Sequence, residues 1–309
     1  MHRYIFKRLL MLIPVLLAVA FIILGIMDIA AGDPVYSVAS ADATEEELDA
    51  LREEMGLKGS FMERYLKYVW GLMRGDLGVS YVSKQDVMTT YLERLPNTLK
   101  LASFAMLIAV GLSIPLGIIS AVNQNSLKDT AAMVLALIGL SMPNFWLGLL
   151  LIILFSLKLG WFPSGGYTSF SSIILPAFCV GVGLAAFMTR TTRSSMLDVI
   201  RQDYLRMARA KGVSERRVIL KHALKNALIP IITVFSVQFS NVLGGSVLAE
   251  TVFAWPGVGR LVVDAIDQRD IPTVTGALVM TTLLVSIANL LVDIIYAYVD
   301  PRIKSQYTK

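Results

Sequence analysis

Apolar residues along this chain come in membrane-length blocks, not in the half-buried rhythm of a soluble core. Six blocks stand out, at about Leu9–Ala30, Leu99–Val122, Thr130–Leu157, Ile173–Met188, Ile229–Ala249 and Val274–Tyr298. A helix needs about 20 apolar residues to cross bilayer hydrocarbon, so each block is expected to span the membrane. The fourth is the shortest, because Arg190 and Arg193 arrive early. Pro14, Pro115, Pro143 and Pro176 fall within or at the ends of blocks. Such breakers are tolerated where neighbouring helices satisfy the freed carbonyl groups. The first block exceeds the roughly 7–15 apolar residues of a signal peptide, so it is read as a retained span. The expected fold class is an all-α polytopic membrane protein with six transmembrane helices.

Polar segments between the blocks orient the chain. The N-terminus carries Arg3, Lys7 and Arg8, and the C-terminal tail carries Arg302, Lys304 and Lys309. The segment from Arg190 to Lys225 holds ten basic residues against three acids, whereas residues 31–97 hold seven basic and twelve acidic ones. Lys and Arg accumulate in cytoplasmic loops. An even number of spans with both ends cytoplasmic puts all three basic segments on that side. The division expected is a cytoplasmic N-terminus and first span (1–30), an external region (31–97) and a five-span core (98–309) with a cytoplasmic loop at 190–229. Within the external region, Thr44 followed by Glu45, Glu46 and Glu47 reads as a helix start. Phe61 to Met73 has apolar and aromatic residues at helical spacing, suited to an interface.

Composition agrees: 55% of the 309 residues are hydrophobic and 17% charged, with a mean hydropathy of +0.65. Soluble proteins carry roughly a quarter charged residues. The net charge of +5 is topological in this reading, so no nucleic-acid partner is expected. Cys179 is the only cysteine, which excludes an internal disulfide and a zinc cluster.

A catalytic constellation is hard to assemble. His2 and His222 are the only histidines, and no His-Glu-x-x-His, Gly-x-Ser-x-Gly or phosphate-cradling Gly-Lys-Ser/Thr motif occurs. No catalytic residue and no metal site is expected. Asp28, Glu250 and Asp293 are the acids in or beside spans, and structural pairing or capping is the favoured role over a proton relay. The fifth block is the most polar, with Gln238, Ser240, Asn241, Gly244, Gly245 and Ser246. Gln238, Asn241 and Gly245 share a helical face. Gln238, Asn241, Gly244, Gly245 and Ser246 are candidates to line a translocation pathway, with interhelical polar contact as the alternative.

The basic segment carries the clearest punctuation. Ala208, Ala210 and Gly212 are small residues in a bulky stretch; Gly212 is placed to end a helix in a left-handed C-cap, and Ser214 to cap the next. The expected result is a helix–Gly–helix elbow whose small side chains enter a partner's groove, rimmed by Arg209, Lys211, Arg216 and Arg217. A loop that only enforced topology would need no such glycine.

Several strings carry a family resemblance along essentially the whole chain. They include Tyr4-Ile-Phe-Lys-Arg-Leu-Leu10, Gly32-Asp33-Pro34, Arg74-Gly-Asp-Leu-Gly78, Arg94-Leu-Pro-Asn-Thr98 and Ser141-Met-Pro-Asn-Phe-Trp146. Further along come Leu159-Gly-Trp-Phe-Pro163, Arg193-Ser-Ser-Met196, Asp203-Tyr-Leu-Arg-Met-Ala-Arg-Ala-Lys-Gly212, the stretch His222 to Pro230, Glu250 to Gly257 and Asp300-Pro-Arg302. The chain resembles the membrane subunit of a bacterial ATP-binding-cassette importer, of the dipeptide/oligopeptide/nickel permease family and its B-type member. The resemblance implies the type I importer permease (MetI-like) fold in the bacterial inner membrane.

It also implies a coupling helix that docks into an ATPase, made here by Arg206, Ala208, Arg209, Ala210, Lys211, Gly212 and Ser214. Arg206 stands where the general motif has an acid, and Met207 where it has its first alanine. The implied partners are a second homologous permease subunit, two ATPase subunits, an extracytoplasmic substrate-binding protein and the lipid bilayer. ATP and magnesium would lie on the ATPases and no cofactor on this chain, which would not itself be an enzyme. Peptides are the implied cargo, with a nickel or metal chelate or a glutathione-like solute as the alternative. A secondary transporter is the competing class, and it would place titratable groups or broken helices at the midplane of several spans.

Overall fold

The computed structural model describes residues 2–30, 32–40 and 42–299. The C-terminal basic residues Arg302, Lys304 and Lys309 lie outside them. In chain order the helices are α1 (His2–Ala30), α2 (Glu45–Glu54), α3 (Phe61–Leu72), α4 (Val87–Val122), α5 (Leu127–Ser141), α6 (Asn144–Leu151) and α7 (Ile174–Ile200). They continue with α8 (Asp203–Ala210), α9 (Glu215–Arg217), α10 (Leu224–Gly245), α11 (Val247–Val252), α12 (Val258–Asp267) and α13 (Ile271–Val299). Among the described residues, five unbroken helical stretches are long and apolar enough to cross a membrane, and a sixth candidate is bent.

That bent pair corrects the expectation of one helix from Thr130 to Leu157. α5 and the helix beginning at Asn144 meet at an angle of 100°. Pro143 is the cause. Its ring disfavours a helical conformation in the residue before it, and Met142 is extended at φ −82°, ψ 121°.

The fourth block is also longer than expected, because α7 continues past Arg190 and Arg193 to Ile200. Thr189 and Thr192 fold their hydroxyls back onto the carbonyls of Ala185 and Met188, at 2.7 and 2.8 Å. The second block begins earlier, at Val87, where the Asp86 carboxylate accepts from Thr89 N–H at 2.8 Å. The fifth does not run on to Ala249: α10 ends at Gly245, and a separate short α11 follows Ser246.

By packing, the chain forms two units, Met1–Thr98 with Pro256–Leu290, and Leu99–Trp255 with Leu291–Lys309. In the first, α3 lies on α1. Phe21 meets Phe61 and Tyr65 edge-on with ring centroids 5.1 and 5.2 Å apart, and Arg64 pairs with Asp28 at 2.7 Å. The expected external helices both form with reciprocal capping boxes, Thr44 with Glu47 and Ser60 with Glu63. Asp270 is buried but fully engaged: it accepts from Ser80 Oγ at 2.6 Å, Tyr81 N–H at 2.9 Å and Thr273 Oγ1 at 2.6 Å. This carboxylate ties the 80–81 loop to the start of α13.

In the second unit α7 is the central element, packed against α5, α6 and α10. Small residues let it approach closely, as expected where helices pack without a hydrophobic driving force. At Gly181 an added Cβ would lie 2.8 Å from the Ala105 carbonyl oxygen, and at Gly117 it would lie 2.5 Å from Thr192.

Candidate functional site

The elbow expected from the sequence is built in three steps. Asp203 opens α8, where its charge complements the helix dipole. Leu205 is fully buried against Met196, Val218, Ile219 and Ala223, so one face of α8 is fixed to the feet of α7 and α10. The helix then stops at Gly212, which has φ +76°. Gly212 N–H donates to the Arg209 carbonyl at 2.9 Å and Val213 N–H to the Ala208 carbonyl at 3.2 Å. This is the Schellman arrangement, and it is completed by Ala208 and Val213 packing on the same apolar cluster.

The second half differs from expectation at one atom. Ser214 occupies the cap position of α9, and its carbonyl accepts from Arg217 and Val218 N–H at 2.9 and 3.0 Å. Its hydroxyl makes no capping bond. A π-helical stretch, Val218–Ala223, then leads into α10. Arg209 grips Glu215 with two bonds of 2.9 and 2.8 Å, so the elbow's two arms are cross-linked. That bond raises the Arg209 pKa above its ordinary value.

These contacts redistribute the predicted docking surface. Ala208 is half-buried and packs against the apolar cluster, and Arg209 is paired with Glu215. The exposed face consists of Arg206, Met207, Ala210, Lys211, Gly212, Ser214, Arg216 and Arg217. Arg206 lies 3.4 Å from Asp203. Sequence spacing alone could not tell which small residue would face the core.

The fifth-span candidates separate as well. Asn241, Gly244 and Gly245 are exposed and Gln238 is half-buried, with Asn241 Nδ2 donating to Gln238 Oε1 at 3.2 Å. Ser246 is buried instead, and its hydroxyl donates to the fully buried Glu250 at 2.9 Å. It belongs to the joint between α10 and α11, not to an open face.

One constellation was missed. Asp129, at the start of α5, is buried and accepts two bonds from Arg193 of α7, at 2.8 and 2.7 Å. Ser120 Oγ and the backbone N–H of Asn125 complete its shell, the latter at 2.9 Å. Arg193 lies one turn before Met196, which sits in the elbow's cluster. The ion pair thus holds the platform on which the elbow rests. Its one sequence signal was an acid beside the start of an apolar block. The partner, 64 positions away, had none.

Membrane-length helices and a bent span describe a polytopic membrane protein, and comparison with known proteins gives its family. Residues 113–305 match the family "Binding-protein-dependent transport system inner membrane component", and residues 1–102 match its N-terminal counterpart. The chain belongs to this family and is an inner-membrane protein.

It is 42% identical to the oligopeptide transport system permease protein AppB of Bacillus subtilis, over 98% of this chain and 100% of that one. It is 40% identical to the glutathione transport system permease protein GsiC of Escherichia coli K12, over 98% and 99%. Among solved structures it shares its fold with a chain of the inward-facing MetNI methionine ABC transporter. The TM-score is 0.60 at 19% identity, covering 69% of this chain and 97% of that chain.

Replacing Arg193 by Ala strands a buried carboxylate, which costs about 3 kcal/mol where a buried pair is broken. The thermal midpoint of the detergent-solubilised chain should fall clearly. Asp129→Leu combined with Arg193→Leu should recover part of the loss.

Proposed function

We propose that this chain is one of two permease subunits of an ATP-driven importer, and that it forms half of an alternating-access pathway for di- and oligopeptides. The observation that carries this reading is 42% identity to an oligopeptide permease along nearly the whole chain, joined to an elbow whose inner face packs on the span feet. A soluble or tethered binding protein delivers cargo on the outer side. Two ATPase subunits bind beneath the elbow, hold ATP and magnesium, and perform the hydrolysis.

Closure of the ATPases on ATP displaces α8. The apolar cluster around Leu205 passes that displacement to α7 and α10. In physical terms the ligand-bound ATPase favours one of two arrangements of the spans, and the equilibrium shifts by the difference in affinity. Exposed Asn241, Gly244 and Gly245 on α10 supply polar surface and exposed backbone for a passing solute. A glutathione-like solute is the second reading, favoured by the near-equal identity to GsiC. Uptake of labelled dipeptide into proteoliposomes holding the full importer should be competed by other dipeptides more strongly than by glutathione.

Gly212→Asp should leave the importer assembled in the membrane while uncoupling ATP hydrolysis from uptake. A Cβ at this position meets no atom within 4 Å, so the cost within the chain is only left-handed backbone strain of about 1–2 kcal/mol. The new acid would stand on the docking face. Normal uptake at normal membrane levels would refute the role of the elbow.

The basic charge of the elbow supports a cytoplasmic position for it. The native thiol of Cys179 is buried and donates to the Asn144 carbonyl at 3.1 Å, so an introduced cysteine can be read alone. Lys211→Cys should react with an impermeant maleimide in inverted vesicles and not in intact cells.

A further inference from the structure

α3 carries two apolar faces, and packing within the chain uses only one of them. Phe61 and Tyr65 lie against Phe21 of α1. On the outward side Met62, Leu66, Trp70 and Met73 are spaced four, four and three apart, which sets them in one stripe along the helix. All four are more than half exposed. Single exposed apolar residues are ordinary, but a continuous patch marks a contact. Glu63 and Lys67 are exposed about 100° further round, so the outward surface of α3 is itself amphipathic.

The level at which α3 is attached to α1 identifies what covers the stripe. Between Arg8 and Asp28, α1 is free of charge from Leu9 to Met27. At 1.5 Å per residue that run is about 28 Å long, close to the thickness of bilayer hydrocarbon. No length is spare, so Leu17 to Met27 lie inside the hydrocarbon.

The first half of α3 is fixed beside that stretch. Tyr65 OH donates to the Leu17 carbonyl at 3.2 Å. An added Cβ on Gly25 would meet the Phe61 ring at 3.8 Å. Arg64 reaches the other way, to Asp28 at 2.7 Å. Arg64 and Tyr65 are sequence neighbours, so their backbone sits between the two levels, roughly 8 Å on the hydrocarbon side of Asp28. Amphipathic helices that lie in a membrane surface sink to about this depth, some 5–10 Å.

The side chains suit that position. Tryptophan collects at the boundary between hydrocarbon and headgroups, and the Arg74 guanidinium lies 4.6 Å over the Trp70 ring. Long basic side chains such as Arg74 and Lys67 keep their stems in apolar surroundings while their charges reach water or phosphate.

We propose that α3 is embedded in lipid at the Ala30 end of α1, with the Met62–Leu66–Trp70–Met73 stripe against acyl chains and Lys67 and Arg74 among the headgroups. The occupant of the stripe is the bilayer, not a water-soluble protein and not a second copy of the chain. The assignment is independent of the cargo and of the ATPase.

The test is the surroundings of single nitroxide labels at Leu66→Cys, Met73→Cys and Lys67→Cys. The full-length chain, with whatever subunits co-purify with it, is reconstituted in phospholipid vesicles. Cys179 is fully buried and stays unlabelled. Collisions with oxygen, which concentrates in hydrocarbon, are compared with collisions with a water-soluble nickel chelate. Oxygen should dominate at Leu66 and Met73, and nickel at Lys67. Nickel dominating at all three positions would put α3 in water and overturn the proposal. Protection of Leu66 and Met73 from both reagents would mean that a protein surface covers the stripe, which overturns it equally.

Discussion

A peptide group in hydrocarbon has no water to bond, and leaving one unpaired costs several kcal/mol. That constraint explains why the described spans are helices and why departures from helix occur where they do. Where Pro143 turns the chain, the geometry changes by 100° and a new helix starts at once at Asn144. Where α10 gives way to α11 at Ser246, that residue's N–H still reaches the Val242 carbonyl at 3.1 Å, and its hydroxyl joins Glu250. The stretches Ile152–Lys158 and Val218–Ala223 keep their hydrogen bonds by widening into π geometry. Widened turns of this kind are frequent at functional sites. The second of them is the joint between the elbow and α10.

Buried carboxylates act as clamps within each unit. Asp270 holds a loop to the head of α13, and Asp129 holds α5 to the lower part of α7. Both have several donors around them, as a buried charge requires. In the proposed importer their placement would matter because an element that transmits movement must be stiff. Leu205, Ala208 and Val213 weld the elbow to a cluster that includes Met196 of α7 and Ala227 of α10, and Arg209–Glu215 stops its two arms from opening. The outer face of the elbow is thereby joined to two spans together.

Much of this could be read from residue order, because the signals were local. Block length marked the spans, Thr44 with its glutamates marked a helix start, the apolar spacing of Phe61 to Met73 marked a second helix, and Gly212 marked a helix end through its freedom at positive φ. The family strings identified the kind of machine, and the family comparison places the chain there. The misjudged points were also local signals, but each was overruled by a distant contact. Arg190 and Arg193 looked like the end of a span, yet α7 continues because Asp129 neutralises Arg193. Ser246 looked like an open-face residue and is buried, and Ala208 is half-covered by the apolar cluster.

By itself, then, the order of residues determined which segments are helical, where the elbow turns and which residue types stand near it. These follow from periodicity, capping and backbone freedom, all of which act over a few neighbours. Only the tertiary structure decided which side of the elbow faces out and which acids are clamped. Those outcomes depend on groups up to 190 positions apart meeting in space, as Ser80 meets Asp270, and no local pattern encodes such a meeting.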